Sequence, residues 1–231
     1  MSARTIAIGD IHGCVRALDG VLDAVAPTTE DTLIVLGDVV DRGPRSREVI
    51  DRLLALQRQC RLIALRGNHE EMMLDALDGR IDARVWLQFG GRATITSYGG
   101  SLEGVPESHR RFLKEMRLFH ETETHFFIHA NYVATLPLDQ QPLQVALWEH
   151  LTAMVPPPHV SGKCAVVGHT PQYDGEVLDL DHLICLDTYC VGGRWLTAMS
   201  FPDKQIWQVD GEGRLRDAGR DEPNGGKGLT P

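Results

Sequence analysis

The chain has 231 residues and a formal net charge of −9, which is enough polypeptide for one large domain or two small ones. The negative charge argues against nucleic acid or an anionic membrane as a partner, although a local site can still bind an anionic substrate. Five cysteines, an odd number without metal-finger spacing, predict reduced thiols. The sequence has no secretory signal and no apolar run of about 18 residues, so we expect a cytoplasmic protein.

The first third of the chain alternates short apolar runs with helical patterns. Residues 5–8, 32–36 and 61–65 are apolar, rich in β-branched residues and followed by glycine, which is typical of strands buried on both faces. Between them, residues 15–25 and 46–59 carry apolar side chains at helical spacing. This β-α-β-α-β order predicts a parallel sheet with right-handed crossovers.

A mainly helical region follows, and then the strands return. Residues 70–121 are expected to form a helical cap or insertion, with helices at 71–77 and 108–119. Later apolar runs suggest a second sheet packed on the first; these runs are residues 125–129, 165–167, 182–186, 196–201 and 205–209. Residues 1–209 would then form one domain, and the Gly-rich, charged residues 210–231 a flexible tail.

Polar side chains follow five of these strands directly, where each strand ends. They are Asp10 and His12, Asp38 and Asp41, Asn68 and His69, His129, and His169. One such residue alone is usually a turn signal. Because ligand sites in open α/β sheets lie at the carboxyl ends of parallel strands, we expect these side chains to converge. Mixed carboxylate, amide and imidazole donors match two divalent ions such as Mn, Fe or Zn.

Such a site suits phosphate ester hydrolysis. Two metals about 3.5–4 Å apart can share a hydroxide that attacks phosphorus, and they also bind the phosphoryl oxygens. Arginines add charge neutralisation, and a histidine can protonate the leaving oxygen. If Asn68 and His69 lie in an extended segment, they point to opposite sides, so one can bind metal while the other donates a proton.

The motifs GDIHG, GDVVDRG and GNHE, followed by His129, Gly168-His169 and Leu186-Asp187-Thr188, resemble the calcineurin-like metallophosphoesterases. Within that family the chain is most similar to the phosphoprotein-phosphatase branch and its bacterial and phage λ-type serine/threonine protein phosphatases. The resemblance covers roughly residues 5–200. It implies an α/β fold of two packed mixed β-sheets flanked by helices, an αββα sandwich, and two divalent cations, with Mn expected first and Fe or Zn as alternatives.

The resemblance also implies a role for each motif residue. Six residues would bind the metals, with Asp38 bridging them, Asp10 and His12 on the first, and Asn68, His129 and His169 on the second. His69 would be the general acid and Asp41 would hold its imidazolium. Arg42 and Arg66 would bind the phosphoryl oxygens.

Two places depart from the family pattern. The family usually continues the first C-terminal histidine with small residues, whereas Asn131 stands here two residues after His129. The λ-type members usually carry Trp-x-Arg, whose arginine contacts phosphate, whereas this chain has His150 at that place. The third phosphate contact could then come from His150, Arg92 or Arg194. Asp187 is expected to be structural, orienting a ligand histidine.

Three functions stay open at this level. The first is dephosphorylation of serine or threonine in a phosphorylated protein. The second is hydrolysis of a nucleotide polyphosphate, such as symmetrical cleavage of diadenosine tetraphosphate, for which a groove of basic and aromatic residues would be needed; the candidates are Arg84, Trp86, Phe89, Arg92 and Tyr98. The third is a non-catalytic metal-binding module, which would have no need of the acid His69.

Overall fold

A computed structural model describes residues 3–217. Its ten strands are β1 (Thr5–Ile8), β2 (Thr32–Val35), β3 (Arg61–Ala64), β4 (Phe119–Glu121), β5 (His125–Ile128), β6 (Cys164–Val167), β7 (Leu178–Asp179), β8 (Leu183–Cys185), β9 (Leu196–Phe201) and β10 (Ile206–Val209). Sheet 1 has the order β10-β9-β1-β2-β3, and sheet 2 has the order β4-β5-β6-β8-β7. In each sheet three strands are parallel, and the other two join antiparallel.

Seven helices flank the sheets. They are α1 (Val15–Val25), α2 (Ser46–Leu56), α3 (Asn68–Leu77), α4 (Ala83–Trp86), α5 (Arg92–Ser97), α6 (Glu107–Glu115) and α7 (Leu143–Trp148). A π-helical turn, Leu87–Gly91, joins α4 to α5, and three short 3-10 turns complete the set. We call residues 83–97 the cap segment; with α6 it packs against α2 and α3, on the helical side of sheet 1.

Alternation along the strands explains the layers. Ala7, Ile34 and Ile63 of sheet 1 meet sheet 2 in an apolar layer. Their neighbours on the opposite face, such as Ile6 and Leu33, pack against the helices. Side chains in a strand point alternately to opposite faces, so a strand covered on both sides must be apolar throughout. The predicted α/β sandwich of two mixed sheets flanked by helices is thus confirmed.

Two local expectations differ from the structure. The predicted helix 108–119 ends earlier, because Met116 is extended and Phe119 pairs with Ile128 at the edge of sheet 2. The segment GNHE is not extended: Gly67 is the N-cap of α3, and Asn68 and His69 are its first two residues. The two side chains therefore diverge because of helical rotation, not because of strand alternation.

The start of the predicted tail folds back on the domain. Val209 pairs with Leu215, and Gly213 lies against Gly20 of α1. Glu212 forms an ion pair with Arg16 of the same helix. The rest of the predicted tail, residues 218–231, lies outside the described residues. Within residues 3–217, no helix is long and apolar enough to cross a membrane.

Candidate active site

The carboxyl ends of strands from both sheets bring together two groups of side chains that share Asp38 and could each hold a metal ion; we call them the metal-binding groups. One group is His12, Asp38 and His69, and the other is Asp38, His129 and His169. Within each group the donor atoms lie within 4.8 Å of one another, and every member is buried. The structure therefore assembles four of the strand-end histidines around the carboxylate of Asp38.

Backbone carbonyls orient three of these imidazoles. His12 Nδ1 lies 2.8 Å from the carbonyl of Val40, and His129 Nδ1 lies 2.8 Å from that of Leu36. His169 uses its other nitrogen, Nε2, which lies 3.2 Å from the carbonyl of Trp148. A nitrogen beside a carbonyl must carry the proton, so the opposite nitrogen of each ring presents a lone pair to the site.

Burial also keeps these rings neutral. Desolvation lowers the pKa of His12 to about 3 and that of His169 to about 3, and it lowers the pKa of His129 as well. Neutral imidazole is the form that binds a metal, so the three rings are ready for coordination without loss of a proton.

The surroundings of Asn68 test whether a cation fits here. Its side-chain oxygen faces His129 Nε2 at 3.2 Å, His169 Nδ1 at 3.2 Å and both oxygens of Asp38 at 3.3 Å. All four neighbours are acceptors, so the oxygen has no donor. Rotating the amide would supply an N–H, and a divalent cation would satisfy the same atoms without rotation. Carboxylate oxygen, amide oxygen and imidazole nitrogen form a donor set that suits Mn, Fe or Zn.

Asp38 and Asp10 occupy different places. Asp38 Oδ2 lies 3.5 Å from His12 Nε2, and Asp38 Oδ1 lies 3.4 Å from His129 Nε2, so this carboxylate faces both groups. Asp10 belongs to neither group; it accepts the backbone N–H of His169 at 3.1 Å. Burial, together with the charges of Asp187 and Asp38, raises the pKa of Asp10 well above its usual range. A bound cation would relieve that repulsion.

His69 is held by a buried carboxylate. Its Nδ1 lies 2.8 Å from Asp41 Oδ2, and its ring meets the ring of His12 edge-on at 4.8 Å. Burial disfavours the imidazolium, but Asp38 and Asp41 outweigh that effect and raise the pKa of His69. Nε2 remains directed to the shared carboxylate, 3.9 Å from Asp38 Oδ2.

The cap segment supplies the partners of Asp41, which the sequence patterns did not reveal. Trp86 Nε1 donates to Asp41 Oδ2 at 2.7 Å, and Thr94 Oγ1 donates to Asp41 Oδ1 at 2.7 Å. Trp86 is fully buried, and its indole packs so closely on Gly91 that a Cβ there would lie 2.5 Å from the ring. The pair Gly90-Gly91 is a sequence signal that could have indicated this contact.

Glu70 is a second residue whose part was missed. Its carboxylate accepts the backbone N–H groups of Asp38 and Gly67 at 2.8 Å, and also those of Val39 and Val40. It therefore ties the loop after β2 to the start of α3. The sequence feature that could have indicated this role is the position of Glu70 at N3 of α3, where an acidic side chain usually completes a capping box.

Several site residues have a left-handed backbone conformation, which residues other than glycine rarely adopt. The φ angles are 44° at His12, 48° at Asp38, 70° at Asp41, 66° at Arg42 and 63° at His169. Each costs on the order of 1 kcal/mol or more, and such strain persists where the surrounding structure over-determines it. Its concentration around Asp38 sets this edge of the sheets apart from the rest of the fold.

The two expected phosphate-binding arginines differ in position. Arg42 Nη1 lies 2.9 Å from His12 Nε2, so its guanidinium reaches the metal-binding groups. Arg66 binds Glu71 and the carbonyl of Lys114, each at 3.0 Å, and its buried Nε has no partner among the described residues. Its contacts run to α3 and α6, so a role for Arg66 at the phosphoryl group stays a prediction.

The residues at the departures from the family pattern also have defined places. The exposed His150 ring stacks on His169, with ring centres 4.2 Å apart. Arg194 donates to the carbonyl of Tyr173 at 2.9 Å. Asn131 binds the carbonyl of Met154 at 3.0 Å and has a structural role in that loop. Asp187 accepts the N–H of Tyr189 at 3.1 Å, and no histidine among the described residues binds it.

Comparison with known proteins agrees with this geometry. A family model described as calcineurin-like phosphoesterase matches residues 3–194. The serine/threonine-protein phosphatase 1 of Salmonella typhimurium is 32% identical over 199 residues, covering 82% of this chain and 88% of that protein. The asymmetrical bis(5′-nucleosyl)-tetraphosphatase PrpE of Anoxybacillus flavithermus is 26% identical, covering 87% and 92%. The solved structure of a putative diadenosine tetraphosphatase superposes with a TM-score of 0.68 and 24% identity, covering 90% and 94%.

The fold and the site thus define a metallophosphoesterase, a hydrolase whose clustered histidines and aspartates can bind divalent metals. The chain belongs to the calcineurin-like phosphoesterase family.

Proposed function

We propose that this protein is a serine/threonine protein phosphatase that uses two divalent cations, with Mn as the expected metal, in the cytoplasm. The observation that carries catalysis is the buried His69–Asp41 pair beside the shared carboxylate of Asp38. A metal-binding scaffold has no use for such a pair. The protein substrate is supported by the similarity to the Salmonella phosphatase over most of both chains.

Each residue of the site has a role in this proposal. Six residues would hold the cations: Asp10, His12, Asp38, Asn68, His129 and His169. When bound, the cations supply Lewis-acid polarisation of the phosphoryl oxygens and lower the pKa of water. Arg42 binds a phosphoryl oxygen, and Arg66 joins it if its guanidinium leaves Glu71. Fixed charges of this kind favour the transition state because they need no reorganisation during the reaction.

His69 then protonates the leaving oxygen. Its Nδ1 is bound to Asp41, so Nε2 is the atom that carries the transferable proton when the ring is an imidazolium. Asp41 keeps the ring in place and offsets its positive charge. Trp86 and Thr94 in turn hold both oxygens of Asp41, so the acid is oriented before substrate arrives.

Nucleotide polyphosphate hydrolysis is the second candidate, because relatives named bis(5′-nucleosyl)-tetraphosphatase also match most of the chain. The structure weakens one argument for it. Trp86 is fully buried and Tyr98 nearly so, with its hydroxyl on His109, which leaves neither ring available to stack on a base. Phe89 remains half-exposed.

A substrate panel tests the proposal. Protein reconstituted with Mn is given p-nitrophenyl phosphate, a phosphoserine peptide and diadenosine tetraphosphate, and kcat/KM is measured for each. We expect the phosphopeptide to be hydrolysed with a higher kcat/KM than the dinucleotide. The control is Asp38→Asn, which should abolish all three activities because Asp38 faces both metal-binding groups.

Two outcomes would contradict the proposal in different ways. A higher kcat/KM for the dinucleotide would replace the protein substrate by the nucleotide. Absence of hydrolysis of all three compounds by metal-loaded protein would favour the non-catalytic module.

A further inference from the structure

A groove opens directly beside the candidate active site. It has a volume of about 430 Å³ and is lined by Arg42, Pro44, Gly90, Arg92, Ala93 and Thr96. Arg42 connects it to the metal-binding groups, since its Nη1 lies 2.9 Å from His12 Nε2 and its backbone N–H donates to the carbonyl of Gly90 at 3.2 Å. A substrate whose phosphoryl group contacts Arg42 can therefore extend into this groove.

The groove differs from the rest of the molecule in charge. The chain carries a net charge of −9, yet the lining contains two arginines and no carboxylate. Arg92 is exposed, and its guanidinium forms no hydrogen bond or ion pair with any residue from 3 to 217. Its neighbours Pro44 and Ala93 are apolar. A cation in this setting is available to an anionic group of the substrate.

The lining also indicates which kind of substrate fits. Among the described residues that line the groove there is no aromatic side chain, so a nucleobase inside it would find no ring to stack on. An extended peptide advances about 3.3 Å per residue, so the groove can take the few residues that follow or precede a phosphorylated one. The guanidinium of Arg92 suits an acidic side chain of such a peptide.

We propose that Arg92 binds an acidic side chain next to the phosphorylated residue, and so makes the enzyme selective for acidic phosphopeptides. This inference rests on the proposed protein-phosphatase function. It assigns Arg92 to substrate selection and not to the phosphoryl group itself, which Arg42 already reaches.

Two matched phosphoserine peptides test this selectivity. They differ only in having glutamate or glutamine at the two positions on each side of the phosphoserine, and kcat/KM is measured for both. A solvent-accessible ion pair contributes up to about 1 kcal/mol, so we expect wild type to prefer the glutamate peptide roughly three- to fivefold at low ionic strength. Arg92→Gln should bring the ratio to about one, and Arg92→Lys should restore part of it. The matched control is Arg111→Gln, an exposed arginine on α6, which should keep the wild-type ratio.

Salt gives an independent readout. At 0.5 M salt the Debye length is only about 4 Å, so screening should reduce the wild-type preference for the glutamate peptide. The ratio of the two kcat/KM values for Arg92→Gln should not change. The inference is overturned if wild type hydrolyses both peptides equally, or if Arg92→Gln keeps the preference or lowers both rates alike. If neither peptide is hydrolysed while diadenosine tetraphosphate is, the proposed function itself has failed. Melting temperatures of all variants confirm that each is folded.

Discussion

Asn68 and His69 are adjacent in the first turn of α3, yet they contact different partners. Asn68 faces Asp38 and two histidines, whereas His69 binds Asp41. One residue step along a helix rotates the side chain by about 100°, which is enough to separate the proposed metal ligand from the proposed proton donor. Gly67 permits this arrangement, because a Cβ at that position would collide with the carboxylate of Asp38.

His69→Asn should separate turnover from metal binding. Loss of the acid should lower kcat for a phosphoserine peptide about 10²–10⁴-fold, whereas p-nitrophenyl phosphate, with its better leaving group, should be affected less. Metal content, measured by elemental analysis, should stay at the wild-type level. The control is His120→Asn, remote in β4. Unchanged peptide turnover would remove His69 from this role.

The left-handed backbone at His169 predicts an unusual order of stability. Alanine and glycine both delete the imidazole, but only alanine keeps the steric strain at φ 63°. We therefore expect His169→Gly to be more stable than His169→Ala by about 1 kcal/mol, measured by urea unfolding in the presence of a chelator. At His125, in strand β5, the order should be reversed, since glycine weakens a strand. Equal stability of the two His169 variants would show that the strain is absent.

The cap segment contacts the candidate active site through one carboxylate, that of Asp41. The sheets position the metal-binding groups, but Asp41 is oriented by Trp86 of α4 and Thr94 of α5. Thr94 also accepts the backbone N–H of Asp41 at 2.8 Å, so the loop after β2 and the cap segment are held as one unit.

Trp86→Phe should test this link. Phenylalanine keeps a buried ring but lacks the indole N–H, so Asp41 loses one donor and holds His69 less firmly. We expect kcat to fall roughly tenfold, with metal content unchanged and a stability loss of about 1–2 kcal/mol. Trp207→Phe, on β10, is the matched control and should leave kcat unaffected. A normal kcat in Trp86→Phe would mean that Asp41 needs no support from the cap segment.

The difference between strand-end residues and residues held by tertiary contacts explains which parts of the site the sequence could predict. Asp38 and His169 were identifiable because each follows an apolar parallel strand, and parallel strands end at one edge. The contacts of Trp86, Thr94 and Glu70 depend on how the cap segment and α3 dock against the loop after β2. Such tertiary contacts leave no periodic pattern. The prediction that GNHE is extended was wrong for a related reason, since Gly67 is the N-cap of a helix that begins directly after the strand.

Desolvation of histidines outside the site predicts that the stability of the whole domain depends on pH. Desolvation lowers the pKa of His109, His120 and His125 in the folded protein. The unfolded chain takes up these protons near pH 6.5, so it binds more protons than the folded state below that pH. The stabilisation present above pH 6.5 is therefore lost as the pH falls toward the lowered folded-state values.

The measurement is the free energy of unfolding of chelator-treated wild type and His125→Phe between pH 7.5 and 5.5. The lowered histidine pKa values favour a decrease on acidification, whereas the raised pKa values of Asp10 and His69 oppose it, so the comparison of the two proteins isolates His125. His125→Phe keeps an aromatic ring beside Phe201 but cannot titrate, so its decrease should be shallower. An equal pH dependence in the wild type and in His125→Phe would contradict the lowered pKa of His125.

The strand order of sheet 1 also bears on how the protein is made. Asp10 follows β1, which pairs with β9 so that Thr5 lies opposite Phe201 and Ile8 lies opposite Ala198. The backbone N–H of Gly9 also donates to the carbonyl of Thr197 at 3.0 Å. A ribosome that has reached His169 has already translated every expected ligand, but not the strand that aligns the first of them. Asp10 would thus lack the strand that pairs beside it until residues 196–201 have been synthesised.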